Sequence, residues 1–309
     1  MPSLSGAPRP AILTLAAATL LVACHTTPPT GALADAIATK VARFHGDVGV
    51  YVRHLRTGDE VSLRADETFP TASTIKVPIL VALLAKVARG ELAYDAKLVY
   101  TKERLYPGED LLGSFADESP ITVAKLVMLM ITMSDNTAAL WCQELAGTGT
   151  AINEWLASEG FGTTRVNSRT PGRETAKQEF GWGQTTPREM ADLLVRAREG
   201  TLVSAAVSDE ALRCLSRIWW DDEALSAIPP FVHAASKQGA VDRSRSEVVL
   251  VSAPHGDFVI SVFTKNQADT SWRHDNEGFV LLREIAALCW RHFEPAMPYE
   301  PPLGSERFR

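Results

Sequence analysis

The sequence is short of several things, and each shortage removes a class of protein. It has no run of basic residues and a formal net charge of −6, which argues against a nucleic-acid partner. Its seven histidines and four cysteines show no metal-ligand spacing, so no zinc site and no cofactor is expected. Its longest apolar run near the start, residues 11–23, is too short to span a bilayer. What remains is ordinary: 309 residues, 46% hydrophobic and 22% charged, enough for one large or two medium globular domains.

Arg9 is the only charged side chain before that apolar run, which reads as the core of a signal segment rather than as part of the fold. The run ends in Leu21-Val22-Ala23-Cys24, which resembles the bacterial lipoprotein signal. The resemblance implies removal of residues 1–23, an acylated Cys24 as the membrane anchor, and a short tether over 24–31. The expected protein is thus exported to the periplasm or cell envelope, and is expected to be a monomer. Cys142, Cys214 and Cys289 sit among helical apolar residues and read as buried free thiols, although one pair remains possible.

Along the chain, Leu33, Ile37, Val41 and Phe44 mark one face of an opening helix. Val48, Val50 and Val52 then alternate as in a strand, and a second strand returns over 60–63. A helix follows Pro70, with a kink expected at Pro78. Ser119-Pro120 reads as the start of a helix that is apolar nearly all round and therefore buried. Regular pattern disappears between 160 and 186, a loop long enough to suggest function. Further helices are predicted from Pro187 to about 198 and over 209–219. Strands are predicted over 231–237, 247–252 and 258–264, and a last helix over 276–293. The expected architecture is α/β (α+β). One antiparallel sheet (32–67 with 216–295) is covered by the terminal helices, a helical domain (68–215) is inserted into it, and 296–309 form a tail.

Three stretches carry chemistry. In Ser73-x-x-Lys76, helical spacing puts the hydroxyl and the ammonium on one face. A serine becomes a nucleophile only when a base takes its proton, and a desolvated lysine is such a base. Its own backbone N–H, near the start of a helix, is free to hold an oxyanion. The second stretch is Ser134-Asp135-Asn136, at the end of the buried helix. The third is Ser236-Lys237-Gln238-Gly239, on a predicted strand.

In this order and context the set resembles the penicillin-recognising serine enzymes, specifically class A serine β-lactamases and their relatives, over most of residues 30–295. The stretches 106–112 (Tyr106 to Leu112) and Gly172-Arg173-Glu174 are most similar to a subgroup known only as serine hydrolases. The resemblance implies that Ser73 is acylated, Lys76 helps remove its proton, and Ser134 relays a proton to the leaving nitrogen. It also implies that Asn136 binds the substrate's side-chain amide and that Lys237, with Gln238 and Gly239, receives its carboxylate. The N–H groups of Ser73 and Ala240 would form the oxyanion hole. Arg243 or Arg245 is a further carboxylate candidate, and Asp135 reads as structural.

Two positions depart from the pattern. Gln238 stands where the family has serine or threonine. Thr170, before Pro171, stands where the loop carries the glutamate that activates the deacylating water. Glu174 is the expected displaced base, with Glu179 and Lys76 as alternatives. The implied substrate is a small β-lactam or cell-wall peptide. Two other functions stay open: a D,D-peptidase or esterase, and a non-hydrolysing binding protein.

Overall fold

The computed structural model describes residues 30–107 and 110–305; Cys24 and the expected signal segment lie outside them. The chain opens with α1 (Thr30–Val41), which buries Leu33 and Ile37, and continues into β1 (Asp47–His54) and β2 (Glu60–Leu63). After the two-residue β3 (Phe69–Pro70) comes a 3-10 turn, Ala72–Ile75, and then α2 (Lys76–Ala88). Pro78 falls in the first turn of α2, where its missing N–H has no intrahelical partner to lose.

A small hairpin pairs β4 (Lys97–Val99) with β5 (Pro120–Thr122). The helix expected to begin at Pro120 begins instead at Val123, because Thr122 accepts a hydrogen bond from Lys125 N and caps α3 (Val123–Thr132). Two further helices follow, α4 (Asn136–Leu145) and α5 (Thr148–Ser158). The stretch without sequence periodicity is not featureless. It holds β6 (Arg165–Val166), α6 (Glu174–Phe180) and β7 (Gly183–Thr185), and β7 pairs with both β3 and β6. These elements are too short to leave a periodic signal.

Thr186 caps α7 (Pro187–Glu199) and Ser204 caps α8 (Ala205–Leu215). Beyond a 3-10 turn at Ala224–Ala227 the chain forms β8 (Ala234–Val241), β9 (Ser244–Val251) and β10 (Phe258–Lys265), and ends in α9 (Glu277–Phe293). The five long strands make one antiparallel sheet in the order β2-β1-β10-β9-β8.

Alternation on the strands feeds two cores. Val50, Val52, Val249, Val251, Ile260 and Val262 join residues of α1 and α9. Tyr51, Val248, Leu250, Val259 and Phe263 face the other way and join a continuous apolar core built from α2, α3, α4, α7 and α8. The outer strand β8 lies against the 3-10 turn that carries Ser73.

Candidate active site

Ser73 belongs to the 3-10 turn, one step before the α-helix, so its N–H is not used by a regular helical ladder. Ala72, beside it, has φ +44°, a left-handed conformation that is rare for a residue with a side chain. Across from it stands Gly239. A Cβ there would sit 2.7 Å from Ser73 N and 2.7 Å from Thr71 O, so the close approach of β8 to the nucleophile's backbone requires glycine. That approach places Ala240 on the wall of the same cleft as Ser73.

Lys76 is fully buried, yet all its bonds go to site residues. Its Nζ donates to Ser73 Oγ at 3.0 Å, Ser134 Oγ at 3.1 Å, Asn136 Oδ1 at 2.9 Å and the Ser134 carbonyl. Burial pushes its pKa down to about 7, while the nearby charges of Asp110 and Asp135 pull in the opposite sense. A lysine poised there exchanges its proton readily at neutral pH.

The turn between α3 and α4 brings Ser134 and Asn136 to that ammonium. Ser134 adopts φ +58°. Asp135 points away from the cleft; its carboxylate accepts from Ala138 N at 2.7 Å and Leu112 N at 2.8 Å, capping α4. Asp110 accepts from Asn136 N at 2.9 Å, Thr137 N at 2.8 Å and Thr137 Oγ1 at 2.8 Å. Asp110 is therefore a site-building residue that sequence reasoning missed. Its signal was present, as an aspartate in the 106–112 stretch.

On β8, Lys237 is fully buried and its Nζ donates to the Gln238 carbonyl at 3.0 Å and to Gln238 Oε1. Gln238 thus caps the lysine from its own strand. Arg245, the arginine expected at the carboxylate, is placed elsewhere. Its guanidinium packs between the rings of Trp272 and Phe279 and donates to the carbonyls of Val241, Ser244 and Ser271. The arginine on the cleft is Arg243, in the β8–β9 turn. The cleft itself holds about 580 Å³ and is lined by Ser73, Tyr106, Asn136, Ala240, Arg243 and Lys265 among others.

The facing loop offers less. Thr170 is buried and its hydroxyl donates to Ser168 O at 2.9 Å. Glu174 stands exposed at the start of α6, accepting from Gly172 N at 3.1 Å, and does not line the cleft. Glu179 and Trp182 do line it, and Trp182 meets Tyr106 edge to face at 5.0 Å. Among the described residues no carboxylate accepts a hydrogen bond from Ser73 or Lys76. Nor do the described residues include a group of three or more His, Cys, Asp or Glu side chains able to hold a metal ion. Cys142, Cys214 and Cys289 are free thiols.

Residues 32–293 match the model of the β-lactamase enzyme family. The chain is 26% identical over 265 residues to the β-lactamase AER-1 of Aeromonas hydrophila, covering 82% of this chain and 86% of that protein. Among solved structures, the β-lactamase of Sphaerobacter thermophilus is 25% identical with a TM-score of 0.76, covering 87% of this chain and 99% of that one. PBP-A is likewise 25% identical with a TM-score of 0.76, covering 87% and 100%.

Proposed function

Because the chain belongs to the β-lactamase enzyme family, it is a hydrolytic serine enzyme, and we propose that it opens the β-lactam amide through an acyl-enzyme on Ser73. The observation that carries the reading is the hydrogen bond of 3.0 Å between Ser73 Oγ and a fully buried Lys76. In its neutral form Lys76 takes the Ser73 proton as Oγ attacks the lactam carbonyl. The N–H groups of Ser73 and Ala240 hold the oxyanion. The C–N bond then breaks, and the proton on Lys76 passes through the Ser134 hydroxyl to the departing nitrogen, which leaves Lys76 neutral again. Asn136 orients the substrate's side-chain amide, and Lys237, Gln238 and Gly239 face its carboxylate.

With Thr170 unable to act as a base and Glu174 outside the cleft, regenerated Lys76 is the base for the deacylating water, and Glu179, which lines the cleft, is the alternative. We further propose that residues 1–23 are a signal segment and that a lipid on Cys24 anchors a monomer in the cell envelope. The sequence around Cys24 supports this, and a Cys24→Ala variant that stayed in the membrane fraction would count against it.

Mass spectrometry of the purified protein with a penicillin over time tests the reading. The expected result is an adduct of the penicillin's full mass, mapped to Ser73, that forms and then decays. The lack of a carboxylate bonded to Ser73 or Lys76 among the described residues favours slow decay. An adduct lasting hours would turn the reading to a β-lactam or cell-wall-peptide binding protein; no adduct at all would remove it.

A further inference from the structure

Strand β8 orders the cleft along its length. Ala240, whose N–H is assigned to the oxyanion, lies between Lys237 and the β8–β9 turn that carries Arg243. At about 3.3 Å per residue, Lys237 stands about 10 Å along the strand from Ala240, and the turn lies on the other side. A substrate with its carbonyl at Ala240 and its carboxylate toward Lys237 therefore sends its opposite end, beyond the amide held by Asn136, toward the turn. No step of the acylation uses that end of the cleft.

Several elements converge there. The helix α6 packs against β3, and β3 packs against β10. The turn is tied to the residues that follow β10: Arg243 Nη2 donates to Asn266 O at 3.1 Å, and Gln267 N donates to Arg243 O at 3.2 Å. Tyr106, Phe180 and Trp182 supply an apolar wall. Three charged side chains line the cleft, Arg243, Lys265 and Glu179. Lys265 is already matched: its Nζ pairs with Glu67 at 2.7 Å, donates to Thr68 O at 2.9 Å and lies over the Phe69 ring. The other two are not. Among the described residues the Arg243 guanidinium bonds only a neutral carbonyl, and the Glu179 carboxylate has neither an ion pair nor a hydrogen bond. One cation on the β8–β9 turn and one anion on the facing loop are left without a counter-charge.

We propose that this end of the cleft receives a free α-amino acid at the tip of the substrate's side chain, with its carboxylate on Arg243 and its ammonium on Glu179. The proposal rests on the acyl-transfer reading of the cleft given above. A simple acid would meet Arg243 but also the repulsion of Glu179, and a simple amine would meet the reverse. A zwitterion satisfies both, because its two charged groups leave one carbon in different directions and can bond opposite walls at once. The planar fork of Arg243 fits a carboxylate through two parallel hydrogen bonds. Both protein groups are exposed, so each contributes a modest factor. The aromatic wall covers the apolar spacer between the amino acid and the amide.

Four penicillins that share one side chain test the proposal. The first ends in the free amino acid, the second has its amine acetylated, the third has the side-chain carboxylate as a methyl ester, and the fourth has both blocked. The measurement is kcat/KM for acylation of Ser73, quoted as a ratio to the doubly blocked compound. Acylation precedes attack by water, so the ratio is indifferent to which base serves deacylation, and any general effect of a substitution cancels. In the wild type the free amino acid is expected to react about tenfold faster or more than the doubly blocked compound. Arg243→Gln should remove the advantage given by a free carboxylate, about fivefold, and keep that given by the amine; Glu179→Gln should do the reverse. Equal rates for all four penicillins in the wild type, or ratios that neither substitution changes, would overturn the proposal. A change confined to one variant would overturn it too, because a simple acid or a simple amine would then be the ligand. The doubly blocked penicillin separates the two levels: if it acylates Ser73 while the ratios stay flat, this inference alone fails, and if no penicillin acylates Ser73, both fail.

Discussion

The wall of the cleft that carries Ser73 and the loop that faces it differ in what their polar groups are bonded to. On the Ser73 wall the side chains bond one another: Lys76 reaches Ser73, Ser134 and Asn136, and Asp110 holds the backbone of Asn136 and Thr137. On the loop the polar groups bond the loop itself or a neighbouring helix, as Ser168 does with Gln143 of α4. Thr170 binds Ser168 O, Arg173 binds Asn167 and Gln184, and Glu174 binds Gly172 N. A wall wired across three elements holds a proton-transfer chain at fixed distances. The loop supplies shape, and its carboxylate on the cleft, Glu179, accepts no hydrogen bond from Ser73 or Lys76. In the proposed reaction the acylating half draws on the Ser73 wall, and the hydrolytic half draws on the same lysine.

The Ser73 wall is tested most directly at Lys76. Lys76→Met should lower the acylation rate by about three orders of magnitude or more, in line with the loss of a general base to an activated nucleophile. In the wild type, acylation should rise as the pH increases through about 7, where Lys76 becomes neutral. Stopped-flow rates across that range check both. Stability gives an independent view. The folded pKa of Lys76 lies below its ordinary value of 10.5, so between about 7 and 10.5 the unfolded chain binds the extra proton. The contribution of Lys76 to folding therefore improves as the pH rises through that window, and its burial is most unfavourable below pH 7. Lys76→Met should raise the melting temperature more at pH 6 than at pH 9; the reverse order would contradict a depressed pKa.

A smaller effect is expected at the support of that wall. Asp110→Ala strips three donors of their acceptor, and each buried donor left unsatisfied costs about 1–3 kcal/mol. Denaturant melts should show a loss of a few kcal/mol, with acylation slowed through the displaced Asn136. Full stability would mean that Asp110 is not what holds the α3–α4 turn. The smallest effect is expected on the loop. From sequence alone, Glu174→Gln is expected to slow deacylation by about two orders of magnitude. With its carboxylate exposed and bonded to Gly172 N, less than a twofold change in acyl-enzyme lifetime is now expected. A hundredfold longer lifetime would restore Glu174 to the mechanism and show that the loop does carry the base.

Much of the cleft was legible because it is local. Ser73 and Lys76 stand three apart, Ser134 and Asn136 two apart, and such spacings fix proximity whatever surrounds them. The helix α3, apolar nearly all round, and the alternating β1 were legible for the same reason. Less legible were the places where a cap outweighed a motif, as at Thr122, or where elements were too short to repeat, as in α6.

The sequence by itself determined the Ser73–Lys76 pairing, the Ser134–Asn136 turn and the family to which they point, because near-neighbour geometry is set by the backbone period; that the turn meets Lys76 across 58 residues was decided by the tertiary structure. Only the tertiary structure decided which arginine faces the cleft. Arg243 and Arg245 would share a face on a continuous strand, but Arg243 lies in the turn, where alternation ends, and Arg245 is drawn between two aromatic rings. It alone also set Glu247 opposite Gln238 and turned Glu174 outward. Strand register and loop closure join residues far apart in the chain, and no local spacing encodes them.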